Sequence, residues 1–388
     1  MKQIVIDDDV PFLPDEIILN ILKRLPAKSL ARFQCVSEHW KNLIKNPSFI
    51  ADHLHHSTHQ NPCLLFRPQN STGPLNLHLL DCEKQVHRVP NHPLIDYLKC
   101  GWFVGSSNGL LCIGISKEGV FHHSHLLWNP ATREVKQVPK PIDDFEGHYL
   151  RVGFGFSPIV NDYKIVRIYV DVIFDDLVEK VEVYSLRTGS WEKVELGILD
   201  GVSISSASFT ANGAMFWFGF KLEEEDENGN IVAGNVIISF DIAMDVFALM
   251  PVPASAPRSH LKRLTMYENK LAMLCCTMIG NSESSLIDLW VMEEGTIAAG
   301  EKWIWTKKYT SSPYPCFLCP MTIWRNEIVC SISTGRQMDD EPTTVLFNLT
   351  TKEFTELAVG RSRYGHHIFN HVESLMPVGG TKLFTMFV

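Results

Sequence analysis

A small helical unit in front of a ring of repeated β-hairpins is the fold class this 388-residue sequence predicts: an α+β multidomain chain whose larger part is an all-β propeller. Three observations lead there. The first stretch carries helical apolar spacing punctuated by two Leu-Pro pairs. After about residue 60 the spacing changes to strand-like runs divided by turn residues. One hairpin pattern then recurs six times at intervals of 48 to 57 residues. The expected units are 10–55, 61–376 and a tail at 377–388.

Composition narrows the function. The chain is 45% apolar, as a packed globular protein should be, and carries net charge −9 from 35 basic and 44 acidic residues. That balance argues against nucleic acid as partner, since no basic stripe is present. The opening MKQIVIDDDV lacks a signal-peptide core, and no run approaches the ~18 apolar residues of a membrane span, so no membrane partner is expected either. The expected location is cytosol or nucleus, where the 10 cysteines would stay reduced.

The helices come first. Pro14 suits a first helical position, and Asp15 and Glu16 complement the helix dipole. This helix should run to about Arg24 and stop before Leu25-Pro26. At 100° per residue, Ile17, Ile18, Ile21, Leu22 and Leu25 cover one stripe ~140° wide, more than a small domain needs for its own core. A second segment spans Ala27–Cys35. A third spans Ser37–Lys45 with Ser37 as N-cap, and Phe49, Ile50 and Leu54 suggest a last turn. Patterning alone leaves open whether all these apolar residues face inward. The string Leu13-Pro14, Ile17-Ile18, Ile21-Leu22, Leu25-Pro26, Ser29-Leu30, Phe33, Val36-Ser37, Trp40, Ile44, Phe49-Ile50 resembles an F-box. The resemblance implies binding to the Skp adaptor and, through it, to a cullin. It puts Leu13, Pro14, Ile18, Leu22 and Leu25 on the adaptor side and Leu30, Val36 and Trp40 in the internal core.

The repeats follow. The apolar residue before each hairpin turn is Leu80, Trp128, Tyr184, Phe240, Trp290 and Phe347. A period near 50 with four strands per unit is a propeller signature. Five units have two strands before their hairpin, joined by Ser-Asn-Gly, Asn-Asp, Ala-Asn-Gly or Glu-Asn turns. The first has only Cys63–Arg67, and His366–Glu373 can supply its missing strand, closing six blades without an open edge. The stretches SSNGLL, LLWNPATRE and RVGFGFSPIVNDYKIVRIYV are similar to the kelch-like associated domain of plant F-box proteins. That family includes the S-locus proteins of pollen self-incompatibility and regulators of immune receptors.

Within a blade the turns between strands A and B and between C and D lie on one face and are tight. The B–C connections lie on the other and are long: Arg67–Asn76, Ser116–His125, Asp171–Lys180, Lys221–Gly234, Met278–Ser285 and Gly335–Pro342. Long loops on a rigid scaffold suit recognition, unless they are tolerated insertions. The helical unit joins at the tight-turn face, so adaptor and substrate would sit at opposite ends. Asp175, Asp176, Glu223, Glu224, Asp339 and Asp340 make the long loops acidic, which favours a basic protein partner. Under the S-locus resemblance that partner is ribonuclease-like.

Catalysis is not expected. Cys316 and Cys319, three apart in a strand, would point to opposite faces, a poor metal or redox pair. His55 and His59 could form half a zinc site, with no local acid or cysteine to complete it, and read better as a solvated linker. No G-x-S-x-G, P-loop or H-E-x-x-H motif is present. The expectation is a non-catalytic subunit without metal or cofactor. It would recognise the substrate of a Skp–cullin–F-box ubiquitin ligase or, alternatively, be a Skp-binding scaffold acting outside ubiquitination.

Overall fold

The computed structural model describes residues 13–379 except 67–76, 91, 94–100, 118–119, 143–148, 172–175, 205–206, 226–230, 254, 258–260, 281–283, 295–302, 334–343 and 358–367. Four helices open the chain: α1 (Asp15–Leu22), α2 (Ala27–Phe33), α3 (Glu38–Lys45) and α4 (Pro47–Gln60). Pro14 and Pro26 occupy the N-cap positions of α1 and α2. Ser37 caps α3 by accepting from the Trp40 amide at 3.1 Å. Asn46 caps α4 by accepting from the Ser48 amide at 2.9 Å, with Pro47 in the first turn. The expected last turn is thus a 14-residue helix that absorbs the His-rich stretch read as a linker. His53 explains the difference: buried on the inner face, its Nε2–H donates to the Leu25 carbonyl at 3.0 Å.

The β part is a succession of antiparallel meanders. In chain order they are β1 (Cys63–Phe66), β2 (Leu77–Leu80), β3 (Val86–Val89); β4 (Gly101–Ser107), β5 (Leu110–Lys117), β6 (Val120–Asn129), β7 (Glu134–Gln137); β8 (Tyr149–Ser157), β9 (Asp162–Asp171), β10 (Leu177–Ser185), β11 (Ser190–Val194). Then come β12 (Val202–Ile204), β13 (Phe209–Ala211), β14 (Ala214–Glu225), β15 (Ile231–Asp241), β16 (Val246–Pro251); β17 (Lys262–Tyr267), β18 (Lys270–Met278), β19 (Ser285–Glu294), β20 (Trp303–Thr310); β21 (Phe317–Trp324), β22 (Glu327–Ser333), β23 (Thr344–Asn348), β24 (Phe354–Leu357); and β25 (Ile368–His371). The C-terminal β25 pairs with β1, Cys63 opposite His371 and Phe66 opposite Ile368.

Six separate four-stranded sheets were the expectation; the described strands instead make four four-stranded sheets and one of nine strands. The cause is β12, which the sequence reading missed. This short strand pairs with β10 through Leu177–Ser203 and with β14 through Ile204–Gly219, welding two neighbouring meanders together. Gly219 permits the weld, because a Cβ there would lie 2.3 Å from the Ser203 carbonyl oxygen.

The hairpin turns follow one chemistry. Asp81, Asn129, Asp241 and Asn348 end corresponding strands, and each side-chain oxygen accepts from two amides of its own turn at 2.8–3.3 Å. Lys84, Arg133, Gly189, Asp245 and Lys352 then take positive φ. Between β4 and β5, Asn108 and Gly109 are both left-handed, at φ 47° and 81°, as a two-residue hairpin turn requires. Cores lie between sheets, with Trp128, Tyr184, Trp217, Phe240, Phe347 and Trp324 fully buried.

The helical unit rests on the tight-turn face. Its core of Ile18, Leu22, Ala27, Leu30, Ile44 and Phe49 is joined by Leu375 from beyond β25, with Ala131 of the β6–β7 turn packed beside it. Asn129 holds that final segment by donating to the carbonyls of Ser374 and Met376 at 3.0 and 2.9 Å.

Candidate functional site

The outward surface of α1 is the first candidate. Its apolar residues split into two rows rather than one stripe. Ile18 and Leu22 are 8% and 1% exposed and belong to the domain's own core, which corrects their expected adaptor-side placement. Leu25 is half-buried against the same core. Ile17 and Ile21, four residues apart on one line of α1, are 45% and 51% exposed, and Leu13 and Pro14 just ahead of the helix are exposed too, Leu13 at 55%. Val36, expected inside, is 64% exposed, whereas Leu30 is buried and Trp40 is half-buried edge-to-face on Phe33 at 5.4 Å. One of the two rows had to be outward, because α1 has the rest of the helical unit on one side only. His39 Nε2 meets Asp15 Oδ1 at 3.1 Å and fixes the start of α1 against α3. Covering each exposed Leu or Ile would gain about 1 kcal/mol.

Next is the junction below α4. Trp324 Nε1–H donates to the Pro62 carbonyl at 3.0 Å, and Cys82 lies against the same carbonyl at 3.3 Å. Glu373 is mostly buried here, which raises its carboxyl, although the Ala27 amide and Lys28 pull it down. The His53 imidazole is pushed down by burial. His59 Nδ1–H donates to the His55 carbonyl at 2.8 Å, so these histidines serve the helix, and no group of three or more metal-type ligands occurs among the described residues. Burial raises the Cys276 thiol to about 11 and that of Cys330 well above the ordinary range, with Cys319 close to both.

The expected acids belong to the B–C connections. Asp175, Asp339 and Asp340 lie outside the described residues. Asp176 is not a free surface charge: its carboxylate accepts from Arg151 Nη2 at 3.0 Å. Glu223 and Glu224 fall within β14. Two of the expected long loops prove to be continued ladder. Lys117 faces Val120 in one and Glu225 faces Ile231 in the other, where Val120 and Ile231-Val232 begin the returning strands with β-branched residues.

Residues 11–52 match the F-box domain, and residues 53–376 match the F-box associated beta propeller domain. The chain belongs to this F-box-associated propeller family. F-box protein CPR1 of Arabidopsis thaliana is 26% identical over 329 residues, 77% of this chain and 72% of the relative. F-box protein At3g07870 of the same plant is 26% identical over 368 residues, 86% and 84% of the two chains. Putative F-box protein At3g10430 reaches 30% over 243 residues, 61% and 60%.

Within the F-box, the sequence named Leu13 and Pro14 for the outward side and left Ile17 and Ile21 undivided from the core row. Leu375 was missed altogether, because nothing in the local pattern of the final segment points to a core more than 300 residues earlier.

Proposed function

We propose that this protein is the substrate-recognition subunit of a Skp–cullin–F-box ubiquitin ligase. It performs no chemistry itself and raises the effective concentration of a target lysine near the ubiquitin-loaded enzyme. The observation that carries this is the exposed apolar set Ile17 and Ile21, outward on α1, with Leu13 just ahead of the helix and the buried F-box core on the other side. An adaptor surface is the natural cover for such a row. In this reading the units are 10–55, 61–376 and 377–388, and the protein works in the cytosol or nucleus. The test is co-purification with the adaptor and cullin. Ile17→Asp with Ile21→Asp should abolish adaptor capture in a protein whose propeller is intact; retained capture overturns the assignment.

We also infer a ring of six blades closed by β25. Supporting it, the nine-stranded sheet divides at β12 into two four-stranded meanders. The inner strands β25, β4, β8, β13, β17 and β21 each touch the next, and β21 touches β25. The target would dock on the face bearing the B–C connections, away from the F-box. For its chemistry we keep a basic protein, ribonuclease-like under the S-locus resemblance, met by Asp175, Glu223, Glu224, Asp339 and Asp340. Reversing Glu223, Glu224, Asp339 and Asp340 should slow association and flatten its salt dependence. Loss of the target on changing Arg133 or Thr188 of the tight-turn face instead would reverse the face assignment.

A further inference from the structure

We propose that the cavity enclosed by the inner strands of the propeller binds a small molecule with an apolar body and a single carboxylate. The cavity measures about 290 Å³, near the lower end of small-ligand sites, which run from roughly 300 to 1,000 Å³. Phe154, Phe209, Phe218, Leu264, Met321 and Phe369 give its walls a large apolar part, and hydroxyl, amide and two basic side chains make up the rest.

The polar groups along these walls are nearly all committed to the strands themselves. Ser208 Oγ donates to the Val152 carbonyl at 3.1 Å and Thr210 Oγ1 to the Phe154 carbonyl at 2.7 Å. Asn370 Nδ2 donates to the Ile323 carbonyl at 3.0 Å, and Ser106 Oγ meets His371 Nδ1 at 3.1 Å. A peptide lodged here would bring a succession of amides and carbonyls into a space that has few partners to offer them, at a cost for each group left unmet. A ligand with one polar head avoids that cost.

Lys262 and Arg263 define where the head goes. They begin β17, both line the cavity, and both are half-buried. Neither side chain has a hydrogen bond or ion pair among the described residues, although both backbones are paired in the β17–β18 ladder. Asp288, an acid near Cys275 as Lys262 is, is already held by Lys307 at 2.9 Å and by Thr310 at 2.7 Å. A half-buried guanidinium without a counter-ion is poorly solvated, and a planar carboxylate offers it two parallel acceptors, with the ammonium adding charge. The apolar body then lies along the aromatic wall toward Phe154 and Phe369. This site is separate from both the adaptor row and the proposed target face, so its occupancy can be measured without adaptor or target.

The experiment uses the full chain with phenylacetic, cyclohexylacetic and 1-naphthoic acids, each beside its primary amide, followed by ligand-observed NMR and calorimetry. At least one acid should bind saturably, and its amide about tenfold more weakly or worse. Arg263→Gln should weaken the acid about tenfold while leaving the amide unchanged, and Arg263→Lys should recover part of the loss. Lys262→Gln should weaken the acid severalfold and stands in should Arg263→Gln fail to fold. Equal binding of acid and amide overturns the proposal, as does acid affinity unaltered by the folded variants. So does the absence of saturable binding by every acid, or binding only by an acetylated acidic pentapeptide.

Discussion

The F-box and the propeller reach their packing by different routes. The described sheets of the propeller pack cores between them, and fully buried Trp128, Tyr184, Phe240 and Phe347 recur at equivalent hairpins. The F-box has four helices and a core of six of its own buried apolar residues, which it extends with Leu375 from the far end of the chain. It still leaves Leu13, Ile17, Ile21 and Val36 outward. A unit of this size cannot cover all its apolar surface alone. The difference teaches that exposed grease in the F-box is a consequence of scale and gathers mostly on one helix surface that a partner can exploit, whereas on the propeller sheets Val86, Tyr149, Phe220, Val246, Met278 and Ile304 are exposed on six different strands.

The comparison can be broken most severely by stopping the chain after Gly365. That removes β25 from β1 and Leu375 from the F-box together, and the product should aggregate rather than unfold cooperatively. A soluble product with near-normal thermal unfolding would show that neither region depends on the end of the chain. Next in size is Leu22→Ala, which should cost the F-box about 2–5 kcal/mol. Calorimetry should then show an early F-box transition and an unchanged propeller transition; one merged, unshifted transition would deny that the two regions have separate cores.

Acid offers a third handle. Burial drops the His371 imidazole to about 4, from an ordinary 6.5, in the strand that pairs with β1. The folded state therefore binds fewer protons than the unfolded chain between those values, and stability falls as pH drops through the window. The limit is roughly 3 kcal/mol at the acid end. Denaturant unfolding at pH 6.5 and 4.5 measures it, and His371→Asn should flatten the difference. Smallest on folding is Ile17→Ala with Ile21→Ala, expected within about 0.5 kcal/mol of the parent for each site. The same pair should lower adaptor affinity at least tenfold, and a large stability loss without an affinity loss would move these residues into the core.

Much of this was legible in the sequence. Turn residues placed the hairpins, because Asn108-Gly109 and the capping carboxylates and amides at Asp81, Asn129, Asp241 and Asn348 act through their own local backbone. Ser37 announced α3 in the same way. What failed depended on distant partners. Ile17 and Ile18 are the same residue type one step apart on α1, and only the three-dimensional position of α2 to α4 makes one a core residue and the other a surface residue. The length of α4 was hidden by its polar His-rich sequence, although its inner face buries Phe49, His53 and Ser57, with His53 bonded to the Leu25 carbonyl. Asp176 looked like a loop charge until Arg151, 25 residues earlier, was found beside it.

Leu375 carries a consequence for the order in which the molecule is made. A chain grows from its N-terminus, so the F-box leaves the ribosome before the propeller, yet one wall of its core arrives only after the propeller strands have been added. Gly109 keeps the path open for that late arrival, since a Cβ there would lie 2.7 Å from the Val372 carbonyl oxygen. A product broken off before Leu375 thus carries an F-box that is greasy on two sides instead of one, and marks itself as a fragment in a domain made long before the break.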